Sequence, residues 1–283
     1  MLNGCAYILT VDVGNTFIRF GLFAEDSAAA RECPLATCEI TTPSSITADE
    51  ARMRLTQVMA ALAADAGMPG VLVPAAAVLS CVVPALERPW KAALSRTCTG
   101  RVLTVGPGLK TGMPVHYDDP AEIGPDRIAD AVAARAVYGS PCIVIDLGTT
   151  TNIEVIDARG TFVGGVIAPG LALGARSLSA AAARLPQVEP SAPTHVIGRN
   201  TREAMRSGVV LGEVARIDGM LDMVLAEMRA TKAAGEGDVP IVITGDDAEA
   251  LASLVGHSLT VDDALTLRGL AELYRINQKP RRV

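Results

Sequence analysis

Two short stretches of this chain echo each other. Val11-Asp12-Val13-Gly14-Asn15-Thr16 and Ile145-Asp146-Leu147-Gly148-Thr149-Thr150 both set an Asp-x-Gly turn at the end of an apolar run, Tyr7 to Val11 in the first and Cys142 to Ile145 in the second. In each copy a return strand of a hairpin follows, Ile18 to Phe23 and Ile153 to Ile156, and then a third strand, Ala36 to Thr42 and Thr161 to Ile167. Short apolar runs bounded by turn residues read as buried strands. A strand-hairpin-strand unit occurring twice in 283 residues predicts a duplicated domain, with one part over residues 1–118 and another over 119–283. Two Asp-x-Gly turns coinciding by chance is the competing explanation.

Helices are read from their ends. Thr47-Ala48-Asp49-Glu50 is a capping box, followed by Met53, Leu55, Val58, Met59 and Leu62 on one face and Gly67 as a stop. Pro125 opens a helix to Tyr138, with Ile128, Ala131, Val132 and Ala136 on one stripe and Gly139 beyond its end. Asn200-x-x-Glu203 starts a long helix to about Arg229, in which Ala204, Gly208 and Gly212 share a side. Glycine inside a helix costs roughly 1 kcal/mol, which points to close backbone approach, either between subunits or against the chain's own sheet. A strand from Pro240 to Ile243, a turn to Asp247, a helix into Leu254 and a last helix over Leu265 to Ile276 complete the pattern. Strands alternating with helices imply an α/β fold with a mixed sheet in each half and a ligand cleft between the halves.

Composition removes several function classes. Lys plus Arg number 25 against 31 Asp plus Glu, a net charge of -6, and no basic block stands out, so no nucleic-acid footprint is present. Aromatics at 3% provide no stacking platform for single strands. The six cysteines form no C-x-x-C pair and the three histidines lie far apart, which speaks against zinc and for reduced thiols in the cytoplasm. The opening residues carry no basic n-region and meet Asp12 early, unlike a signal peptide. Ala66 to Leu86 is uncharged over a membrane-spanning length, yet Pro69, Gly70, Pro74 and Pro84 break it and Ala75 to Val83 reads as a short buried strand. No membrane partner is expected.

An Asp at the entrance of a tight turn can hold a cation or Mg-phosphate, while the glycine lets backbone N–H groups approach phosphate oxygens. One such turn is ordinarily just a hairpin stabiliser; two facing each other would make a clamp. Asn15, Thr16 and Thr149 add donors. Asp126 falls in the first turn of its helix, where the dipole favours a carboxylate; it either caps the helix or accepts a proton from a substrate hydroxyl. Arg127 beside it is a surface charge or an anion grip. Gly108-Leu109-Lys110-Thr111 lacks the second glycine of a P-loop, and Met113-Pro114-Val115 stands where a dinucleotide turn would need a helix, so Gly106 and Gly108 read as loop glycines.

These residues in their order resemble the type III pantothenate kinases of the acetate and sugar kinase, Hsp70 and actin superfamily. The likeness rests on Asp12-Val13-Gly14-Asn15-Thr16 with Gly21, Ser80-Cys81-Val82-Val83-Pro84 and Val105-Gly106-Pro107-Gly108 to Gly112. It continues through Gly124-x-Asp126-Arg127, Asp146-x-Gly148-Thr149, Gly164-Gly165-x-Ile167-x-Pro169-Gly170, Gly198-x-Asn200-Thr201 and Leu265-Thr266-Leu267-x-Gly269-Leu270.

The resemblance implies two ribonuclease H-like (actin-like ATPase) domains around an interdomain cleft, and ATP-dependent phosphorylation of pantothenate to 4'-phosphopantothenate, the first step of coenzyme A biosynthesis, in a cytoplasmic homodimer. By position, Asp12, Val13, Gly14, Asn15, Thr16, Phe17, Ile18 and Arg19 would hold the ATP phosphates with Mg2+, and Thr149 would contact ATP. Asp126 would accept the proton, and Asp146 would bind potassium or ammonium. Tyr117, Gly124, Pro125, Asp126, Arg127 and Thr201 would line the pantothenate pocket. Two stretches depart from the family pattern. Thr150-Thr151-Asn152-Ile153-Glu154 replaces an Ala-Thr-Thr run with Asp two residues further, and Thr244-Gly245-Asp246-Asp247 replaces a Thr-Gly-Gly turn. Carboxylates at 246 and 247 either repel the nucleotide or reach its ribose hydroxyls, so a catalytically weak or silent nucleotide- or pantothenate-binding regulator is the second reading. A phosphohydrolase is the third.

Overall fold

A computed structural model describes residues 6–25, 33–68 and 72–278. Two compact units emerge, one of the described residues up to Val137 together with those from Ala264 onward, the other Tyr138–Asp263. The first five residues, and 69–71 within the uncharged stretch at 66–86, lie outside the described residues.

In the first unit β1 (Tyr7–Val13), β2 (Phe17–Ala24) and β3 (Ala36–Thr41) form an antiparallel meander. Helix α1 (Ala48–Asp65) leads to β4 (Ala76–Cys81), α2 (Pro84–Thr97) and β5 (Val102–Thr104), and the sheet order is β3-β2-β1-β4-β5 with β4 and β5 parallel to β1. The capping box at Thr47 is formed as expected, and Gly67 ends α1 at φ +66°. Helix α2 has no counterpart among the sequence expectations, because Pro89 interrupts its apolar period; Trp90 nevertheless anchors it, fully buried against Phe20. Helix α3 (Pro125–Tyr138) follows a loop.

The second unit repeats the plan. Strands β6 (Cys142–Leu147), β7 (Thr150–Ile156) and β8 (Phe162–Pro169) form the meander, and β9 (Ile241–Gly245) and β10 (Thr260–Val261) extend it in parallel, giving β8-β7-β6-β9-β10. Read from the meander edge, both sheets have the order 3-2-1-4-5 in their own strands, so the echo in sequence is a duplication in topology. The helices are α4 (Leu171–Ala181), α5 (Thr201–Arg206), α6 (Gly212–Ala230) and α7 (Ala248–Ala252). A π turn over Ser207–Leu211 joins α5 to α6, so the expected long helix is present with a bulge inside it. A Cβ added at Gly208 or Gly212 would meet nothing within 4 Å among the described residues, which excludes packing of that stripe on the chain's own sheet.

The last helix, α8 (Leu265–Ile276), has the boundaries expected but returns to the first unit. The chain therefore divides at Val137/Tyr138 and again at Asp263/Ala264, not once between residues 118 and 119. The reason lies in packing. Leu9, Val11 and Val13 of β1 point into a core with α1 and α2, whereas the other sheet face is covered by α8, where Phe23, Leu267 and Ala271 cluster. Gly269 of α8 touches the backbone of Ala129 in α3, so closely that a Cβ would overlap it. No helix among the described residues is long and apolar enough to cross a membrane.

Candidate active site

Along β1 alternate residues enter the α1–α2 core, so Asp12 faces the other way, towards the α8 side. It lies within the strand rather than at the turn entrance: its Cα pairs with Arg19 on β2 and Ser80 on β4, while Arg19 pairs with Glu39 on β3. Glu39, Arg19, Asp12 and Ser80 thus form one row across four strands. Arg19 Nε donates to Glu39 at 3.0 Å. Asp12 is 7% exposed, and burial, followed by the negative charge of Asp126, pushes its carboxyl up to about 6. Ser80 and Arg19 offset part of this. Ser80 is near enough to act on Asp12, but neither its Oγ nor Asp12 Oδ1 completes a hydrogen bond of good geometry among the described residues, and we regard Oδ1 as an open valence.

Beyond Asp12 the chain turns through Gly14, Asn15 and Thr16, with Gly14 N–H donating to Phe17 O at 3.0 Å. Asn15 and Thr16 are exposed. Asp126 enters the neighbourhood from the start of α3. Its Oδ1 accepts the N–H of Arg127 at 2.8 Å, folding the side chain back over Gly124, where a Cβ would collide with that same oxygen. Burial raises the Asp126 carboxyl, and the Arg127 N–H and guanidinium pull it partly back. The outcome is a carboxylate more basic than usual at a helix N-terminus, the property required of a proton acceptor.

Beside it lies a cavity of about 410 Å³, whose walls include Cys81, Val105, Met113, Val115, Ile123 and Ile128, with Pro125 at the Asp126 end. Its loop contains Gly108 and Gly112, with φ +89° and +69°, and no helix begins there, as the loop reading required. Asn277 at the end of α8 clamps it, accepting from Lys110 N–H at 3.2 Å and donating to Lys110 O at 2.7 Å.

In the second unit Asp146 lies on β6 between Asn152 on β7 and Thr244 on β9. The cationic neighbour that Asp12 has in Arg19 is replaced here by a neutral amide. The hairpin is one residue tighter, with two residues between strands where the first has three. Gly245, at φ +100°, lies against Leu147, where any Cβ would strike backbone, and Asp246 N–H donates to Leu147 O at 2.9 Å. The Asp246-Asp247 turn is consequently fastened beside the Asp146-x-Gly148 turn. Burial and then the charges of Asp246 and Glu213 raise the Asp247 carboxyl. Thr151 Oγ1 donates to the buried Glu213 at 2.7 Å, and Arg216 pairs with the same carboxylate. Thr201 is the first residue of α5, with Asn200 capping it by accepting Glu203 N–H at 3.0 Å.

A family model described as type III pantothenate kinase matches residues 8–223. The chain belongs to the type III pantothenate kinase family. Relatives named type III pantothenate kinase 2 in Symbiobacterium thermophilum and type III pantothenate kinase in Nocardia farcinica are 39% and 40% identical, covering 96% and 97% of this chain and 97% and 99% of theirs. Among solved structures, a Baf family protein of Campylobacter jejuni matches with TM-score 0.57 at 18% identity over 95% of this chain and 98% of its own. The ethanolamine utilization protein EutJ of Carboxydothermus hydrogenoformans matches with TM-score 0.53 at 16% over 94% and 89%. These two support the fold of this pantothenate kinase family member.

The positions assigned by resemblance separate into groups. Asp12, Gly14, Asn15, Thr16, Phe17 and Arg19 surround one hairpin end, and Asp126 acts on Asp12 electrostatically. Val13 and Ile18 are fully buried in the core, so they can offer a ligand only backbone. Gly124, Pro125 and Arg127 flank Asp126, and Tyr117 is half-buried outside the cavity wall. Asp146, Thr149 and Thr201 belong to the second unit. Of the cavity wall, sequence reasoning singled out Pro125 alone as a site residue; it overlooked the rest, whose signal was the Gly106 to Gly112 loop, and Thr42, which no pattern marks.

Proposed function

We propose that this protein transfers the γ-phosphoryl group of ATP to the primary hydroxyl of pantothenate, giving 4'-phosphopantothenate and ADP on the way to coenzyme A. The observation that carries the reading is the meeting in one unit of Asp126, a buried carboxylate of raised basicity, with the Asp12 turn on one side and an apolar cavity on the other. The acceptor oxygen attacks the γ-phosphorus, ADP leaves, and the hydroxyl proton passes to Asp126. Residues Asp12 to Arg19 hold the phosphates, and Thr149 contacts the nucleotide. Tyr117, Gly124 to Arg127 and Thr201 contact pantothenate, whose gem-dimethyl group suits an apolar wall.

The open valence on Asp12 Oδ1 suits the Mg2+ that accompanies ATP. Asp146, flanked by Asn152 and Thr244, suits a potassium or ammonium ion. A cation there would offset phosphate charge. A homodimer is supported by the open Gly212 and Gly219 on α6, which share a helical face with Met223, 65% exposed. The five described cysteines are free, consistent with work in the reducing cytoplasm.

The test is pantothenate-dependent ADP production with ATP, magnesium and potassium. Asp126→Asn should lower turnover by at least about 10²-fold while leaving the unfolding midpoint near that of the wild type; unchanged turnover refutes the proton-acceptor role. One observation, the carboxylates of Asp246 and Asp247 fastened beside the Asp146 turn, favours the second reading of a binding protein without turnover. Calorimetric binding of ATP or pantothenate with no ADP formed would select it.

A further inference from the structure

Thr42 holds the hairpin turn at Gly14 from outside. Thr42, the first residue after β3, donates its hydroxyl to Gly14 O at 2.8 Å and its main-chain N–H to Thr16 O at 2.9 Å. The main-chain bond continues the β2–β3 ladder by one step and would form with any residue but proline. The hydroxyl bond is particular to this side chain. Because the Gly14–Asn15 peptide is trans, its C=O and N–H point in opposite directions. A hydroxyl that holds the Gly14 carbonyl therefore also fixes the direction of the Asn15 N–H, which points away from Thr42 and belongs to an exposed residue.

The second unit braces its own turn from the same place in the topology. Gly170, the first residue after β8, donates its N–H to Thr149 O at 3.1 Å. A Cβ on Gly170 would run into Gly148 O and lie 2.8 Å from Thr149 O. One copy of the fold immobilises its turn with a hydroxyl, the other with close-packed backbone. The longer turn, with three residues between strands, is the one that carries the side-chain brace.

We infer that Thr42 is a positioning residue that aims the Gly14–Asn15 peptide at the phosphate groups of the donor nucleotide, without touching the nucleotide itself. This rests on the proposed phosphoryl transfer. Left unbraced, a glycine-containing turn can rotate that peptide, and the N–H would have to be ordered each time a nucleotide binds.

Thr42→Val deletes the O–H while keeping shape and main-chain bond, and Thr42→Ser keeps the hydroxyl. Both variants of the full chain are titrated with magnesium and a non-hydrolysable ATP analogue by calorimetry, alongside steady-state kinetics and urea unfolding. Thr42→Val should bind the analogue about three- to tenfold more weakly, with the KM for ATP rising in step, the KM for pantothenate little changed, and Thr42→Ser close to wild type. Wild-type affinity in Thr42→Val overturns the inference. So does equal weakening in both variants with a lowered unfolding midpoint, which would make Thr42 a stabilising residue only. A wild-type chain that binds no analogue defeats the phosphoryl-transfer reading itself, and this inference with it.

Discussion

Replacing Asp12 with Asn should change how stability depends on pH, by an amount the structure allows to be worked out. The Asp12 carboxyl rises from 3.8 to about 6 on folding, a displacement of about two units. At 1.36 kcal/mol per unit this is about 3 kcal/mol, an upper figure given the coupling to Asp126. The direction follows from linkage. The folded chain binds this proton more tightly than the unfolded chain, so the wild type is favoured below about pH 4 and loses stability as pH climbs through 6. Asp12→Asn has no such proton. Any fixed gain or loss from the amide is the same at every pH, carboxylates not coupled to Asp12 cancel in the difference, and what remains belongs to Asp12 together with its partner Asp126. Urea unfolding of both proteins at intervals from pH 4 to 8, without nucleotide or magnesium, should show the variant gaining on the wild type by about 1–3 kcal/mol across that range. A difference that stays flat would mean that Asp12 is not held protonated by burial and by Asp126, and the electrostatic account of this turn would be wrong.

Two further outcomes follow from packing. Gly269→Ala drives a methyl into the backbone of Ala129, which must shift α3 and with it Asp126; unfolding should show a loss of about 1–3 kcal/mol, and turnover should fall even where the chain is folded. Retained stability and turnover would show that the α3–α8 contact does not locate Asp126. Val115→Trp, placed on the half-buried cavity wall, should raise the KM for pantothenate about tenfold, roughly 1.4 kcal/mol, with analogue affinity unchanged in calorimetry. An unchanged KM would remove the cavity from the acceptor site.

What could be read directly from the chain was whatever depends on neighbours in sequence. The Asp-x-Gly echo, the capping box at Thr47, the Pro125 start of α3 and the limits of α8 all follow from local period and end chemistry, which need no tertiary contact. Helix α2 was hidden because Pro89 contradicts the period that the buried Trp90 obeys.

Tertiary structure decided the rest. Only strand register puts Glu39, Arg19, Asp12 and Ser80 in one row. The return of α8 to the first unit brings Gly269 against Ala129 in the helix whose first turn carries Asp126. The basicity of the two carboxylates arises from desolvation, joined at Asp12 by the charge of Asp126, and both depend on segments far apart in the chain coming together around them. Composition can supply an aspartate, but its proton affinity belongs to the surroundings that folding builds.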